Sequence, residues 1–412
     1  MRKIPGGVTA AKGFSAACCA AGIKYQGRTD MAMITSDSDC AVAGTFTTNL
    51  VKAAPVVWDQ KIVYEEKKAR AVVVNAGIAN AATGKEGMRL CQQTSAFTGK
   101  ALGIPESRVL LGSTGVIGPQ IPLDRITAGV AAMKETLSSS LEAGTAASRA
   151  IMTTDTVNKE FAVEFDLPGA DGSVPVRLGG MSKGSGMIHP NMCTMLGYLT
   201  TDCAIDQALL QKALKAAVQD TFNMISVDGD TSTNDTLLLL ANGQAGNTPI
   251  TQEDESYGAF CEALFSVCRD LAVKMAGDGE GATRLMEMRV YNADTKDHAR
   301  TLAKSVIASS LVKAMVFGRD ANCGRILCAL GYAGAPFDPE KIEVYLHGEN
   351  GDTLTFYDNG CVLPFDEEKA LEMLSGTAVR FSCNMNMGTA EATAWGCDLT
   401  YDYVKINGDY RS

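Results

Sequence analysis

Short apolar runs rich in β-branched residues recur along the chain and predict strands at Arg70–Asn75 (RAVVVN), Arg108–Gly112, Phe161–Asp166, Lys341–His347 and Ala378–Asn384. A further strand is predicted over Cys397–Ile406, where apolar and polar positions partly alternate. Between these runs apolar residues return with the helical period. The clearest case is Leu210, Leu214 and Ala217, in a helix predicted from a candidate cap at Asp206 to Phe222. Other helices are predicted over Asp124–Leu141, Glu255–Met275 and Asp297–Met315. Strands and helices distributed in this way imply an α/β or layered α+β fold, with helices covering sheet faces. The glycine-dense stretch Gly169–Gly186 reads as a surface loop. The apolar run Met187–Leu196 behind it resembles a strand entering a core, with Thr194 near its buried start.

Length and charge narrow the classes. A chain of 412 residues exceeds what one small core organises, so two lobes are expected. With 46% hydrophobic and 20% charged residues, and no apolar run approaching the roughly 20 residues that span a bilayer, the chain reads as soluble with no membrane partner. A net charge of -10 opposes binding to a phosphate backbone and excludes nucleic acid as the expected partner. Arg2 and Lys3 are followed at once by Pro5, Gly6 and Gly7, which interrupts any signal-peptide pattern and points to the cytoplasm. The 13 Cys form no C-x-x-C pair, consistent with reduced thiols. His189, His298 and His347 are too dispersed to offer metal-ligand spacing, and Asp228–Asp235 lacks the glycine and glutamate spacing of an EF-hand, so no metal is expected.

Candidate chemistry centres on Thr194. Pro190 restricts His189 to extended backbone, while Gly180, Gly184 and Gly186 permit angles closed to other residues, so the segment can hold an unusual turn. A threonine hydroxyl reaches the carbonyl before it; an N-to-O acyl shift followed by hydrolysis would cut the chain and leave an α-amine beside the hydroxyl. That amine, with a pKa of about 8, can serve as the general base without a histidine. A threonine at a strand start is by itself usually structural. The string Gly112-Ser113-Thr114-Gly115-Val116-Ile117-Gly118 follows the strand at Arg108 and offers either an oxyanion cradle of backbone N–H groups or an ordinary tight turn. Thr153–Thr156, Asp228–Asp235 and Gly277–Thr283 read as solvated turns or caps.

Taken in order, GTFTTNLVKAAPV (Gly44–Val56), NAGIANAATG (Asn75–Gly84), GSTGVIG, IMTTDT (Ile151–Thr156), KGSGMIHPNMCTML (Lys183–Leu196), SVDGDTSTNDT (Ser226–Thr236), GDGEGATR (Gly277–Arg284) and YVKINGDYRS (Tyr403–Ser412) closely resemble the ornithine acetyltransferase family of arginine biosynthesis. That resemblance spans essentially the whole chain. It implies an αββα-type sandwich built from a self-cleaved α chain, residues 1–193, and a β chain, residues 194–412, commonly assembled as α2β2. It also implies cleavage between Cys193 and Thr194, Thr194 as nucleophile, and Thr114 and Gly115 as the oxyanion hole. The family's substrate contacts fall on Thr154, Lys183, Thr194, Glu280, Asn407 and Ser412, with Thr153 an alternative to Thr154. Cys193 stands where alanine is common and Ser412 where threonine is usual.

The reaction implied is a ping-pong transfer of acetyl from N2-acetyl-L-ornithine to L-glutamate through acetyl-Thr194, with no cofactor and with acetyl-coenzyme A as a possible second donor. Lys183 suits a substrate carboxylate and Glu280 an ammonium. Two other readings of the same residues stay open: a self-cleaving amidohydrolase or aminopeptidase in which water accepts the acyl group, and a non-catalytic amino-acid-binding protein that is never cut.

Overall fold

Residues 1–189 and 195–409 are described by the computed structural model. Along the chain run β1 (Arg2–Ile4), β2 (Phe14–Cys19), β3 (Met31–Phe46), α1 (Ala54–Lys61), β4 (Lys68–Ile78), α2 (Gly84–Leu102), β5 (Val109–Val116), α3 (Leu123–Glu135), α4 (Leu141–Ala150), β6 (Lys159–Gly169), β7 (Gly172–Lys183), β8 (Leu196–Thr201) and α5 (Gln207–Gln219). Then come β9 (Ile225–Ser226), β10 (Thr236–Ala241), α6 (Glu255–Gly277), β11 (Leu285–Ala293), α7 (Lys296–Ala308), α8 (Ser310–Gly318), α9 (Cys323–Gly331), β12 (Glu343–His347), β13 (Thr353–Asp358), β14 (Cys361–Val362), α10 (Glu367–Met373), β15 (Ala378–Asn384), β16 (Ala390–Cys397) and α11 (Tyr401–Gly408). This is the α/β architecture expected. The chain divides into two compact units, and the first holds Met1–Gly184, the described part of 191–219, and Thr231–Leu271.

The first unit is built on a nine-stranded sheet ordered β1-β6-β7-β8-β10-β3-β4-β5, with β2 paired to β3. Every residue of β8 (LGYLTT) and β10 (TLLLLA) is buried, as befits strands covered on both faces. The same physics explains why RAVVVN is apolar at successive positions. Val72 and Val74 join one core cluster with Phe14, Tyr198 and Leu238, while Val73 points the other way into a second cluster with Leu90, Ile126 and Val130 of α2 and α3.

The second unit holds the described part of 185–190, Asp220–Asp230, and the described part of 272–412. Its seven-stranded sheet runs β14-β13-β12-β15-β11-β16-β9. In α7, Leu302, Ala303, Val306 and Ile307 are buried, and the helix packs on β11 and β16. Among the described residues no single helix is long and apolar enough to cross a membrane; α7 and α8 reach that composition only as a pair bent by 55°.

Several expectations are corrected. Cys397–Ile406 is not a strand: β16 ends at Cys397 and α11 starts at Tyr401, where the Thr400 side chain accepts the Tyr403 N–H as an N-cap. Asp297–Met315 is two helices, because Ser309 leaves the helical region at ψ 116 and its side chain caps α8 by accepting from the Val312 N–H. Asp124–Leu141 likewise ends at Glu135, and Ser138 forms a bridge to Ala16 before α4 begins. Most of Gly169–Gly186 is not a loop but β7, paired antiparallel with β6 through a two-residue turn at Ala170 and Asp171. Met187, expected to open a strand, lies in a bend at φ 54, and β8 begins only at Leu196.

Candidate active site

In the first unit the end of β5 is shaped by an irregularity in β4. Register with β5 slips at Gly77 and Ile78, opposite Thr114 and Gly115. Gly115 has φ +127, and a Cβ there would lie 2.2 Å from the Gly77 carbonyl carbon, so no larger residue fits without moving the backbone. Buried amides hold this bend. Asn75 Nδ2 donates to the Ile78 carbonyl at 2.9 Å and Ser113 Oγ donates to Asn75 Oδ1 at 2.7 Å. Asn234 Nδ2 donates to the carbonyls of Ala79 at 2.6 Å and Ser113 at 2.8 Å. The stretch Asp228–Asp235 is therefore not wholly a solvated turn: Thr233, Asn234 and Asp235 are buried.

Lys183, the last residue of β7, joins this strand end to the Thr153 bend. Its Nζ donates to Thr153 Oγ1 at 2.8 Å and to Thr114 Oγ1 at 3.3 Å, and lies 4.0 Å from Asp155 Oδ2. Thr154 sits beside Thr153 in the same bend. Asp155 is buried, again against the expectation of a solvated turn. Burial alone would raise its carboxyl, but the ammonium groups of Lys183 and Lys159 and the Gly184 N–H overcome that and hold it at about 2.

In the second unit Glu280 is buried, its N–H donates to the Ser185 carbonyl at 2.9 Å, and its Oε2 accepts from Asn407 Nδ2 at 2.7 Å. A Cβ on Gly186 would meet Glu280 Oε2 at 2.3 Å, so the glycine allows the carboxylate to lie against the backbone. Asp398 holds the end of the Glu280 loop by accepting the N–H groups of Thr283 and Arg284 at 2.8 and 3.0 Å. Asp228 accepts the N–H groups of Met187 at 2.5 Å and Ile188 at 2.9 Å, as well as the Tyr403 hydroxyl at 3.2 Å. Asp228 thus fixes the chain just before the expected cleavage site. Thr194, Cys193 and Ser412 lie outside the described residues. On the far side of the expected cut, the Met195 carbonyl accepts the Thr236 N–H at 2.7 Å and β8 follows immediately.

The structure thus brings Thr114, Thr153 and Lys183 together in the first unit, and Glu280 and Asn407 together in the second. Sequence reasoning missed Asp155, Lys159, Asn75, Asn234 and Asp228. The four-residue spacing between Asp155 and Lys159, the first residue of β6, was the one local signal available for the first two.

His189 is half-buried, with Nδ1 3.0 Å from Ser226 Oγ, and burial followed by the nearby Lys304 ammonium lowers its imidazole to about 4 from 6.5. The folded protein then keeps the ring neutral between about pH 6.5 and 4, while the unfolded chain takes up a proton, so this contribution to stability is present above pH 6.5 and lost as pH falls to about 4. The melting temperature of His189→Gln should fall less steeply than wild type across that window; parallel slopes would show that His189 does not titrate in this way.

A family model described as the ArgJ family matches residues 15–412. The chain belongs to this family. The arginine biosynthesis bifunctional protein ArgJ of Symbiobacterium thermophilum is 50% identical over 414 residues, covering 100% of both chains. ArgJ 1 of Clostridium acetobutylicum is 49% identical, covering 97% of this chain and 96% of its own. Among solved structures, ArgJ from Bacillus halodurans is 42% identical over 51% of this chain and 97% of its own, with a TM-score of 0.49. Membership of the ArgJ family supports acetyltransferase activity in arginine biosynthesis as the general function.

Proposed function

We propose that this ArgJ-family protein transfers the acetyl group of N2-acetyl-L-ornithine to L-glutamate by a ping-pong cycle through acetyl-Thr194, after cutting itself between Cys193 and Thr194. The observation that carries this reading is the family match across residues 15–412, and the contact of Lys183 Nζ with Thr114 Oγ1 supports it. Thr194 Oγ attacks the acetyl carbonyl, and its α-amine takes the hydroxyl proton and passes it to the departing nitrogen of ornithine as the amide C–N bond breaks. The Thr114 hydroxyl and the Gly115 N–H stabilise the oxyanion. The neutral amine of glutamate then attacks the ester, forming N-acetylglutamate and restoring the threonine hydroxyl.

Lys183 and Thr154 are assigned to a substrate carboxylate, Glu280 with Asn407 to an ammonium, and Ser412 to the same substrate. Acetyl-coenzyme A is proposed as a second acetyl donor, in keeping with the word bifunctional in the names of the relatives. Residues 1–193 and 194–412 are proposed to remain together as α and β chains in an αββα sandwich, assembled as α2β2 in the cytoplasm. Each proposed chain contributes to the first compact unit, so separation of the two would dismantle its sheet.

Product analysis tests the reaction. With labelled N2-acetyl-ornithine, label should pass to N-acetylglutamate only when glutamate is supplied, with little free acetate. Acetate formed at the same rate with or without glutamate would assign the chain to the amidohydrolases instead.

A further inference from the structure

Asp155, which lies within the IMTTDT string but has no role in the proposed cycle, is the hub of a buried ionic cluster. Its Oδ1 accepts from Lys159 Nζ at 2.6 Å and from the Gly184 N–H at 2.7 Å. Its Oδ2 accepts the Thr153 N–H at 3.1 Å and lies 4.0 Å from Lys183 Nζ. The side chains of Asp155 and Lys159 are 0% exposed, and that of Lys183 is 9% exposed. One carboxylate therefore holds the backbone on both sides of the contact between Lys183 and Thr153, and attracts Lys183 from behind.

The consequence lies at two threonine hydroxyls. An ammonium can only donate, so Thr114 Oγ1 and Thr153 Oγ1 both accept from Lys183 and must send their own protons elsewhere. A hydroxyl that accepts from a cation is also a stronger donor, because the charge pulls electron density from its oxygen. Thr114 is the side chain assigned to the oxyanion, and Lys183 both polarises it and restricts the direction of its O–H.

We propose that Asp155 is a positioning residue for acetyl transfer: it fixes Lys183 Nζ against Thr114 and Thr153 so that the Thr114 hydroxyl is aimed and polarised as the oxyanion donor. This inference rests on the acetyl-transfer reading above.

The rival explanation is charge balance, in which Asp155 only neutralises the buried Lys159. A paired substitution separates the two. Lys159→Met with Asp155→Asn leaves the cluster with one net positive charge, as in wild type, where the two ammonium groups of Lys159 and Lys183 outnumber one carboxylate by one. Asparagine also keeps an oxygen for the Gly184 N–H.

In wild type and in the fraction of variant cleaved after Cys193, the measurements are melting temperature, and kcat and KM for transfer from N2-acetyl-ornithine to glutamate. A wild type that makes no N-acetylglutamate would reject the acetyl-transfer reading itself, irrespective of Asp155. Given an active wild type, the double variant should melt within a few degrees of it while kcat falls about 10- to 100-fold, less than the 10²–10³ typical for outright removal of an oxyanion donor. Adding Thr114→Val to the double variant should then cost much less than Thr114→Val costs in wild type, because both changes disable one hydroxyl. A double variant with kcat within about threefold of wild type, or full additivity with Thr114→Val, would overturn the proposal.

Should the double variant fail to fold, Asp155→Glu retains the charge and moves the carboxylate by one methylene. A normal melt with kcat reduced about tenfold supports positioning, and wild-type kcat overturns it.

Discussion

In denaturing intact mass, purified wild type should appear as two fragments, one ending at Cys193 and one beginning at Thr194, whereas Thr194→Ala should appear as one uncut chain. The difference is all or none because the reaction needs one atom. The threonine Oγ attacks the Cys193 carbonyl carbon, an ester forms as the peptide C–N bond breaks, and water then hydrolyses the ester, freeing the carboxylate of Cys193 and the α-amine of Thr194. Alanine offers no oxygen for the first step. Thr194→Ser keeps the oxygen and should still be cut, although more slowly if the β-branch helps hold the attacking rotamer. An uncut wild type would remove both the nucleophile's α-amine base and the proposed cycle, leaving an amino-acid-binding protein as the better account.

The described residues on either side of that bond are tied down by hydrogen bonds. Met187 is held at φ 54, a conformation uncommon for a side-chain-bearing residue, and both its N–H and that of Ile188 are taken by Asp228. Beyond the cut, Met195 is tied to Thr236 by the backbone bond that opens the pairing of β8 with β10.

How much of this was legible in the sequence depends on the range of the interactions. RAVVVN, the helix at Glu255 and the helix at Leu210 were readable because burial imposes a local apolar pattern on them, a continuous run in the strand and a helical period in the helices. The clustered polar strings were not. Asp155 read as part of a solvated turn, and its partner Lys159 is paired in register with Ser182, which places it one residue from Lys183 across the ladder. Antiparallel register is a long-range property, and nothing within TTDT or KGSG encodes it. The same holds for Glu280, whose loop is supported by Asp398 more than a hundred residues later. The resemblance supplied Thr114, Lys183 and Glu280 as separate positions; that Lys183 donates to Thr114 follows only from the fold, which brings the ends of β5 and β7 together.

Replacing Thr114 by valine should reduce kcat by about 10²–10³, equivalent to about 2.7–4 kcal/mol of transition-state stabilisation, with KM for N2-acetyl-ornithine changed far less. Valine matches threonine in shape and β-branching, so β5 keeps its pairing with β4 and the Gly115 backbone keeps its unusual angle. Lys183 also retains its 2.8 Å bond to Thr153 Oγ1, so its ammonium does not lose every hydroxyl partner. What disappears is one O–H donor and one acceptor at the end of the strand. Because charge on the acetyl oxygen grows as Thr194 attacks, the missing donor matters more in the transition state than in the bound substrate, which places the loss in kcat. Thr114→Ser restores the hydroxyl and should recover kcat to within about tenfold of wild type, the remainder reflecting the freer rotation of serine. A valine variant that is cleaved normally and turns over within a few-fold of wild type would mean that the Gly115 N–H carries the oxyanion alone, and that the contact from Lys183 serves the architecture of the strand end instead of the reaction.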